Sequence, residues 1–103
     1  MAPSVGDILS EREKRYGSFE DHAAISQELK AVLHSAPKWR LLSSAQKESL
    51  EMIAHKIARI LNGDPEYDDN WIDVAGYATL ITDIIHADQQ KEKSDSLTIS
   101  KKK

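Results

Sequence analysis

The chain has 103 residues, 30% of them charged and 40% hydrophobic, with a formal net charge of −3 and no cysteine. That is room for one domain with one core, without a disulfide framework or a thiolate metal site. The acidic balance argues against binding DNA or RNA grooves through a broad basic surface. Met1 to Ser10 lack the basic start and apolar run of a signal peptide, and no apolar run nears the roughly 20 residues that span a bilayer. A cytoplasmic protein without membrane attachment is the expectation.

Glycine and proline punctuate the chain at useful places. Ser4 can cap a short first helix with Val5, Ile8 and Leu9 on one side, ending near Tyr16-Gly17. Ser18 with Asp21 resembles a capping box, and a second helix is predicted over about Phe19–Ser35. Its apolar stripe is Ile25, Leu29, Val32 and Leu33, spaced for a helix. Ala36-Pro37 breaks it, and Trp39 lies in the connector, tucked against the core. Ser43 and Gln46 form a second capping-box pattern for a helix over about Ala45–Asn62. There Leu50, Ile53, Ala54, Ile57, Ile60 and Leu61 recur at three- and four-residue steps. Gly63 and Asp64-Pro65 stop it. A fourth, strongly apolar helix is predicted over about Asp69–Ala87. From Gln89 the composition turns polar, and residues 89–103 read as a disordered tail with solvated lysines. The expected fold is therefore all-α: a compact bundle of about four helices spanning residues 1–88, plus the flexible tail.

Several polar residues run against the apolar pattern. At about 100° per residue, Asp73, Tyr77, Leu80, Ile84 and Ala87 share one face of the fourth helix, and Asp69 lies one turn before Asp73. A buried, unpaired carboxylate costs several kcal/mol, so it shifts its pKa, pairs with a base or binds a cation. The alternative is a helix N-terminus that welcomes acids, with Asp68 as cap and Asp69 in the first turn. Glu48, His55 and Arg59 lie opposite the apolar stripe of the third helix, with Glu51 at its edge and Lys56 on the other flank. Those residues read equally as a solvated, self-paired face, including a Glu51–His55 pair. Gly76, inside the fourth helix, points to a close approach by another helix or a ligand. The opposite side of that helix, with Trp71, Ala75, Ala78 and Ile85, is apolar as well. That helix should be buried on two sides, either centrally in the bundle or at a subunit interface, and Met52 on the polar side of the third helix favours a homo-oligomer.

Four histidines show no ligand spacing for a metal, and His22, in an apolar stripe, reads as a hydrogen-bonded core histidine. His34 and His86 read as helix-end residues. There is no phosphate-cradling glycine loop, no Gly-x-Ser-x-Gly and no cysteine nucleophile. Divalent-metal chemistry on carboxylates is the enzymatic route that the inventory supports.

Three segments closely resemble a family of small uncharacterised proteins of tailed bacteriophages and prophages. They are Tyr16-Gly-Ser-Phe19, then Glu48-Ser-Leu-Glu51-Met-Ile-Ala-His-Lys56-Ile-Ala-Arg59-Ile-Leu-Asn-Gly63, and Asn70-Trp-Ile-Asp73-Val-Ala-Gly76-Tyr77. The likeness runs from about Ile8 to Ile85. More distantly, the arrangement is similar to the all-helical nucleotide pyrophosphohydrolases of the MazG and dimeric dUTPase group. Those carry Glu-x-x-Glu on one helix and Glu-x-x-Asp on a later one, and hold Mg²⁺ against a nucleoside triphosphate. The resemblance implies Glu48, Glu51, Asp69 and Asp73 as metal ligands, with Glu51 and Asp73 catalytic. It implies Lys56, Arg59 and Tyr77 as contacts to a nucleotide or nucleotide-derived ligand. Asn70 departs from the pattern, an amide standing where the family has a carboxylate. Mg²⁺ suits such oxygen ligands and can lower the pKa of an attacking water. Three functions follow as expectations: a Mg²⁺-dependent pyrophosphohydrolase in the host-cell cytoplasm, a non-catalytic nucleotide or nucleotide-signal binder, or a helical protein-interaction module.

Overall fold

The computed structural model describes the backbone of residues 4–102 and the side chains of residues 4–95. Four α-helices follow one another: α1 (Val5–Tyr16), α2 (Phe19–Ser35), α3 (Ser44–Asn62) and α4 (Asp68–Lys102), with a 3₁₀ turn at Trp39–Leu41 between α2 and α3. Among the described residues there is no strand, as the periodicity predicts. No helix among them is long and apolar enough to cross a membrane.

The helix starts are chemically explicit. Ser4 and Asp7 exchange side-chain and backbone hydrogen bonds in a capping box, and Ser43 and Gln46 do the same for α3. The Ser18 hydroxyl accepts from the Asp21 N–H at 3.2 Å and caps α2. Each contact satisfies a backbone donor that the first helical turn leaves free. Trp39 lies half-buried with its ring 5.0 Å from that of His34, closing the end of α2.

α4 departs from expectation. Asp68 and Asp69 lie in its first turn, but the helix does not stop at Ala87. It continues without a break through the polar stretch, and residues 82–95 are all exposed. Gln, Lys and Glu are good helix formers, and the stretch holds no glycine or proline to end the helix. The expected tail from Gln89 is thus helical in backbone, and the lysines at its end lie outside the described side chains. Thirty-five residues of helix span roughly 50 Å, so α4 sets the longest of the three extents, 69 × 38 × 22 Å.

α3 is the centre of the layer. α4 packs antiparallel along one flank, where the Ser49 hydroxyl donates to the Tyr77 carbonyl at 2.9 Å and Lys56 meets Asp73. α2 packs antiparallel along the other flank, where His34 meets Glu51 and His22 meets His55. α1 crosses the end at which α2 begins and α3 finishes. The two connections there are knitted together. Asn62 donates its amide to the carbonyls of Tyr16 (2.8 Å) and Ser18 (2.9 Å), and the Asp64 N–H donates to the Arg15 carbonyl at 2.7 Å. Gly17 sits at φ 75°, and a Cβ on it would run into Asn62; one on Gly63 would run into Arg15 and Tyr16. Both glycines do more than stop helices: they let two turns touch.

The interior is unusual in kind. Ala54 and Ala58 are the fully buried apolar residues, whereas His22, Ser26, Ser49, Lys56 and Asn70 are buried polar ones. The aliphatic stripes read from the sequence line the edges of the layer. Leu61 and Val32 stay 65% and 68% exposed.

Candidate functional site

The carboxylates that the sequence singles out do not converge. Glu51 reaches away from α4 to the Nε2 of His34, at 3.3 Å. Asp73 meets Lys56 at 2.9 Å, and that lysine is nearly buried. Glu51 and Lys56 are five residues apart on α3, hence about 140° apart around its axis. Glu51 therefore lies on the α2 side of α3 and Asp73 on the α4 side. Asp69 accepts a hydrogen bond from the Tyr67 hydroxyl at 2.8 Å, which holds the phenol pKa above its usual value. Arg15 donates to the same hydroxyl at 3.3 Å. Glu48 is exposed, and Tyr77 is half-buried along the α3–α4 seam. Among the described residues no three His, Asp or Glu side chains gather as a metal would require.

Asn70 explains part of this. It is the most deeply buried polar side chain among the described residues, 1% exposed. That position is closed to water, so a carboxylate there would need a cationic or hydrogen-bonding partner. Tested against Mg²⁺, the expected ligands do not come together: Glu51 pairs with His34 on the α2 flank, Asp73 with Lys56, Asp69 with Tyr67, and Glu48 is exposed.

A different set of residues does converge. A cleft of about 390 Å³ opens between α1, the start of α2 and the second half of α3, walled by Arg12, Tyr16, Phe19, His22, His55 and Arg59. That volume lies in the range of small-molecule sites. The Arg59 guanidinium lies over the Tyr16 ring, 4.3 Å from its centroid, in a cation–π contact that fixes its direction. The rings of His22 and His55 meet edge to face at 4.6 Å. Phe19 stands at the rim, 81% exposed. Glu13 is the acidic residue of the wall.

The electrostatics follow from burial and from the arginine. Desolvation, then the Arg59 charge, hold the His55 pKa down at about 4. The same causes, in the same order, lower that of His22. Both imidazoles are therefore neutral at pH 7. His22 is 5% exposed, and its Nδ1 is buried without a hydrogen-bond partner. The expected hydrogen-bonded core histidine is thus buried but unsatisfied, on the wall of a cleft. Such an atom costs about 1–3 kcal/mol unless water or a ligand meets it.

Of the residues singled out for ligand contact, Arg59 reaches this cleft; Lys56 and Tyr77 belong to the seam. The reading missed Arg12, Tyr16, Phe19, His22 and His55 as a set, because they come from three helices whose packing no single periodicity reports. Two signals were available: a histidine in the stripe of α2, and one on α3 four residues before an arginine. No curated protein and no solved structure matches the chain. The family described as Domain of unknown function (DUF6378) matches residues 5–85, and the chain belongs to it.

Proposed function

We propose that this protein binds a small anionic ligand with a planar ring, of the nucleotide or nucleotide-derived kind, in the α1–α2–α3 cleft, and does not hydrolyse it. The observation that carries the reading is one cleft that gathers Arg12, Arg59, His22, His55 and the exposed Phe19 ring. Arg12 and Arg59 suit the fork geometry of phosphate oxygens. The exposed Phe19 ring suits a base stacked at the rim, a contact worth about 1–3 kcal/mol. The two neutral imidazoles can each donate one hydrogen bond to sugar or phosphate.

The experiment is calorimetry over a panel of nucleoside mono-, di- and triphosphates, with and without chelator, and with product analysis. The expected result is saturable binding that chelator leaves unchanged, with every nucleotide recovered intact. Pyrophosphate release that needs Mg²⁺, or no heat with any nucleotide, overturns the reading.

The hydrolase reading stands second. It is favoured by one feature, that Glu48 and Glu51 share the side of α3 that carries His55 and Arg59. It requires Asp73 to leave Lys56, and it makes Asp73→Ala abolish turnover.

A further inference from the structure

We infer that Glu13 sets the base preference of the α1–α2–α3 cleft, and that the ligand it selects is a guanine nucleotide. This rests on the nucleotide-binding reading above and adds to it the identity of the base.

Glu13 is an acid in a wall that otherwise suits an anion. Leu9, Arg12, Glu13 and Tyr16 are the residues that α1 gives to the cleft. They fall at i, i+3, i+4 and i+7, along one face of the helix. The other acids of α1 are already engaged: Asp7 closes the capping box with Ser4, and Glu11 pairs with Arg15 at 3.4 Å. The Glu13 carboxylate has no ion pair and no hydrogen bond among the described residues, although Arg12 and Arg59 share its wall.

A phosphate does not account for that carboxylate, since two anions side by side repel. Its partner is the other end of the ligand, where a base offers N–H groups. Position agrees. Glu13 is exposed and stands one turn before Gly17, whose N–H donates to the Glu13 carbonyl at 2.7 Å. Phe19 opens α2 two residues later and is 81% exposed, whereas His22 is buried. Glu13 and the Phe19 ring therefore belong to the mouth of the cleft and His22 to its inner wall. A base stacked on Phe19 and a carboxylate on the last turn of α1 share one end of the site.

Among the bases, guanine matches a carboxylate. The acid presents two acceptor oxygens side by side and no donor. Guanine presents its ring N–H and its exocyclic amino group side by side, so that two parallel charge-assisted hydrogen bonds form. Adenine and cytosine place a ring-nitrogen acceptor next to their amino group, and that lone pair faces the second oxygen. Uracil has a single N–H between two carbonyls. The wrong base leaves an acceptor unpaired, and that is where a polar site gains its discrimination.

Calorimetry of the full chain at neutral pH with the monophosphates of guanosine, inosine, adenosine, cytidine and uridine tests this. Guanosine monophosphate is expected to bind about 10- to 100-fold more tightly than the adenosine, cytidine and uridine forms. Inosine monophosphate, which keeps the ring N–H and lacks the amino group, is expected to fall between them. Glu13→Ala places the best helix former at an exposed helical position, and is expected to bind guanosine and inosine monophosphates alike. Equal wild-type affinity for the guanosine and adenosine forms overturns the inference while nucleotide binding stands. A guanosine preference that survives Glu13→Ala does the same. No heat with any of the five overturns the nucleotide reading and this inference with it. Should Glu13→Ala lose its helical circular dichroism, guanosine against inosine monophosphate on the wild type decides, and equal affinities overturn the inference.

Discussion

The α3–α4 seam and the α1–α2–α3 cleft both hold polar groups away from water, yet they solve the problem differently. In the seam Lys56 has Asp73 and the Ser49 hydroxyl has a carbonyl, so most of the polarity is internally closed. Asn70 leaves its Nδ2 unpaired, but it lines neither the cleft nor the hollow at His86–Lys93. In the cleft His22, whose buried Nδ1 has no partner, shares the wall of an open space with Arg12 and Arg59. A charged residue out of place marks a function only when the fold has not already supplied its partner. Here Glu51, Asp69 and Asp73, which look chemical in the sequence, have partners within the fold, whereas His22 and His55 look structural and line the candidate site.

An acid in place of the buried amide gives the strongest way to break this contrast. Asn70→Asp puts a carboxylate at a position 1% exposed. It is expected to cost about 3 kcal/mol or more in urea unfolding at pH 7, and to yield no Mg²⁺-dependent pyrophosphate release. A stable variant that gains hydrolysis would return the seam to the centre of the function.

Next in size is Arg59→Ala. Losing charge-assisted hydrogen bonds worth about 1.5–3 kcal/mol is expected to weaken nucleotide binding about 10- to 100-fold. Stability should change little, since the variant gives up one cation–π contact with a half-buried Tyr16. Equal binding by wild type and variant, read by calorimetry, would move the ligand elsewhere.

Asp73→Ala is expected to cost about 1–3 kcal/mol, because it strands a nearly buried ammonium. Binding in the cleft should be untouched. Lys56→Met in the same background should recover most of the loss, which separates an ion pair from a metal ligand. A metal ligand would show instead as lost activity at constant stability, and urea midpoints together with binding isotherms distinguish the two.

The cleft histidines give the sign of a pH effect. Their folded pKa values lie below the ordinary 6.5, that of His55 at about 4. The unfolded chain therefore takes up protons first as pH falls. The stabilising contribution is fully present above about 6.5 and is lost progressively toward pH 4. A falling urea midpoint over that window, flattened in His55→Gln, is expected. A bound anion should offset the fall by favouring the imidazolium.

How far the sequence could be read depends on the range of the interaction. The caps at Ser4, Ser18 and Ser43, the helix stops at Gly17 and Gly63, and the starts of all four helices are local and were legible to within a residue, although Ser18 caps without the reciprocal bond of a full capping box. The end of α4 was not, because a polar stretch without glycine or proline reads the same whether solvated coil or solvated helix. The pairings of Glu51 with His34 and Lys56 with Asp73 depend on which flank of α3 each neighbour takes. Angular position around one helix limits those choices but does not make them. The cleft was least legible, since it needs Asn62 and Gly63 to lock two turns before Arg12, His22 and Arg59 can share a wall.

Gly76 supplies the smallest and cleanest test of that limit. A glycine in mid-helix suggests a close neighbour, yet a Cβ built there meets nothing within 4 Å. It lies on the shoulder of α4 that carries Leu80 and Ile84. With no steric reason for it in the chain, Gly76→Ala should gain about 0.4–1 kcal/mol, chiefly by narrowing the unfolded ensemble. A loss of stability instead, read as a lower thermal midpoint, would mean that a neighbour packs on the Gly76 backbone where the glycine permits it.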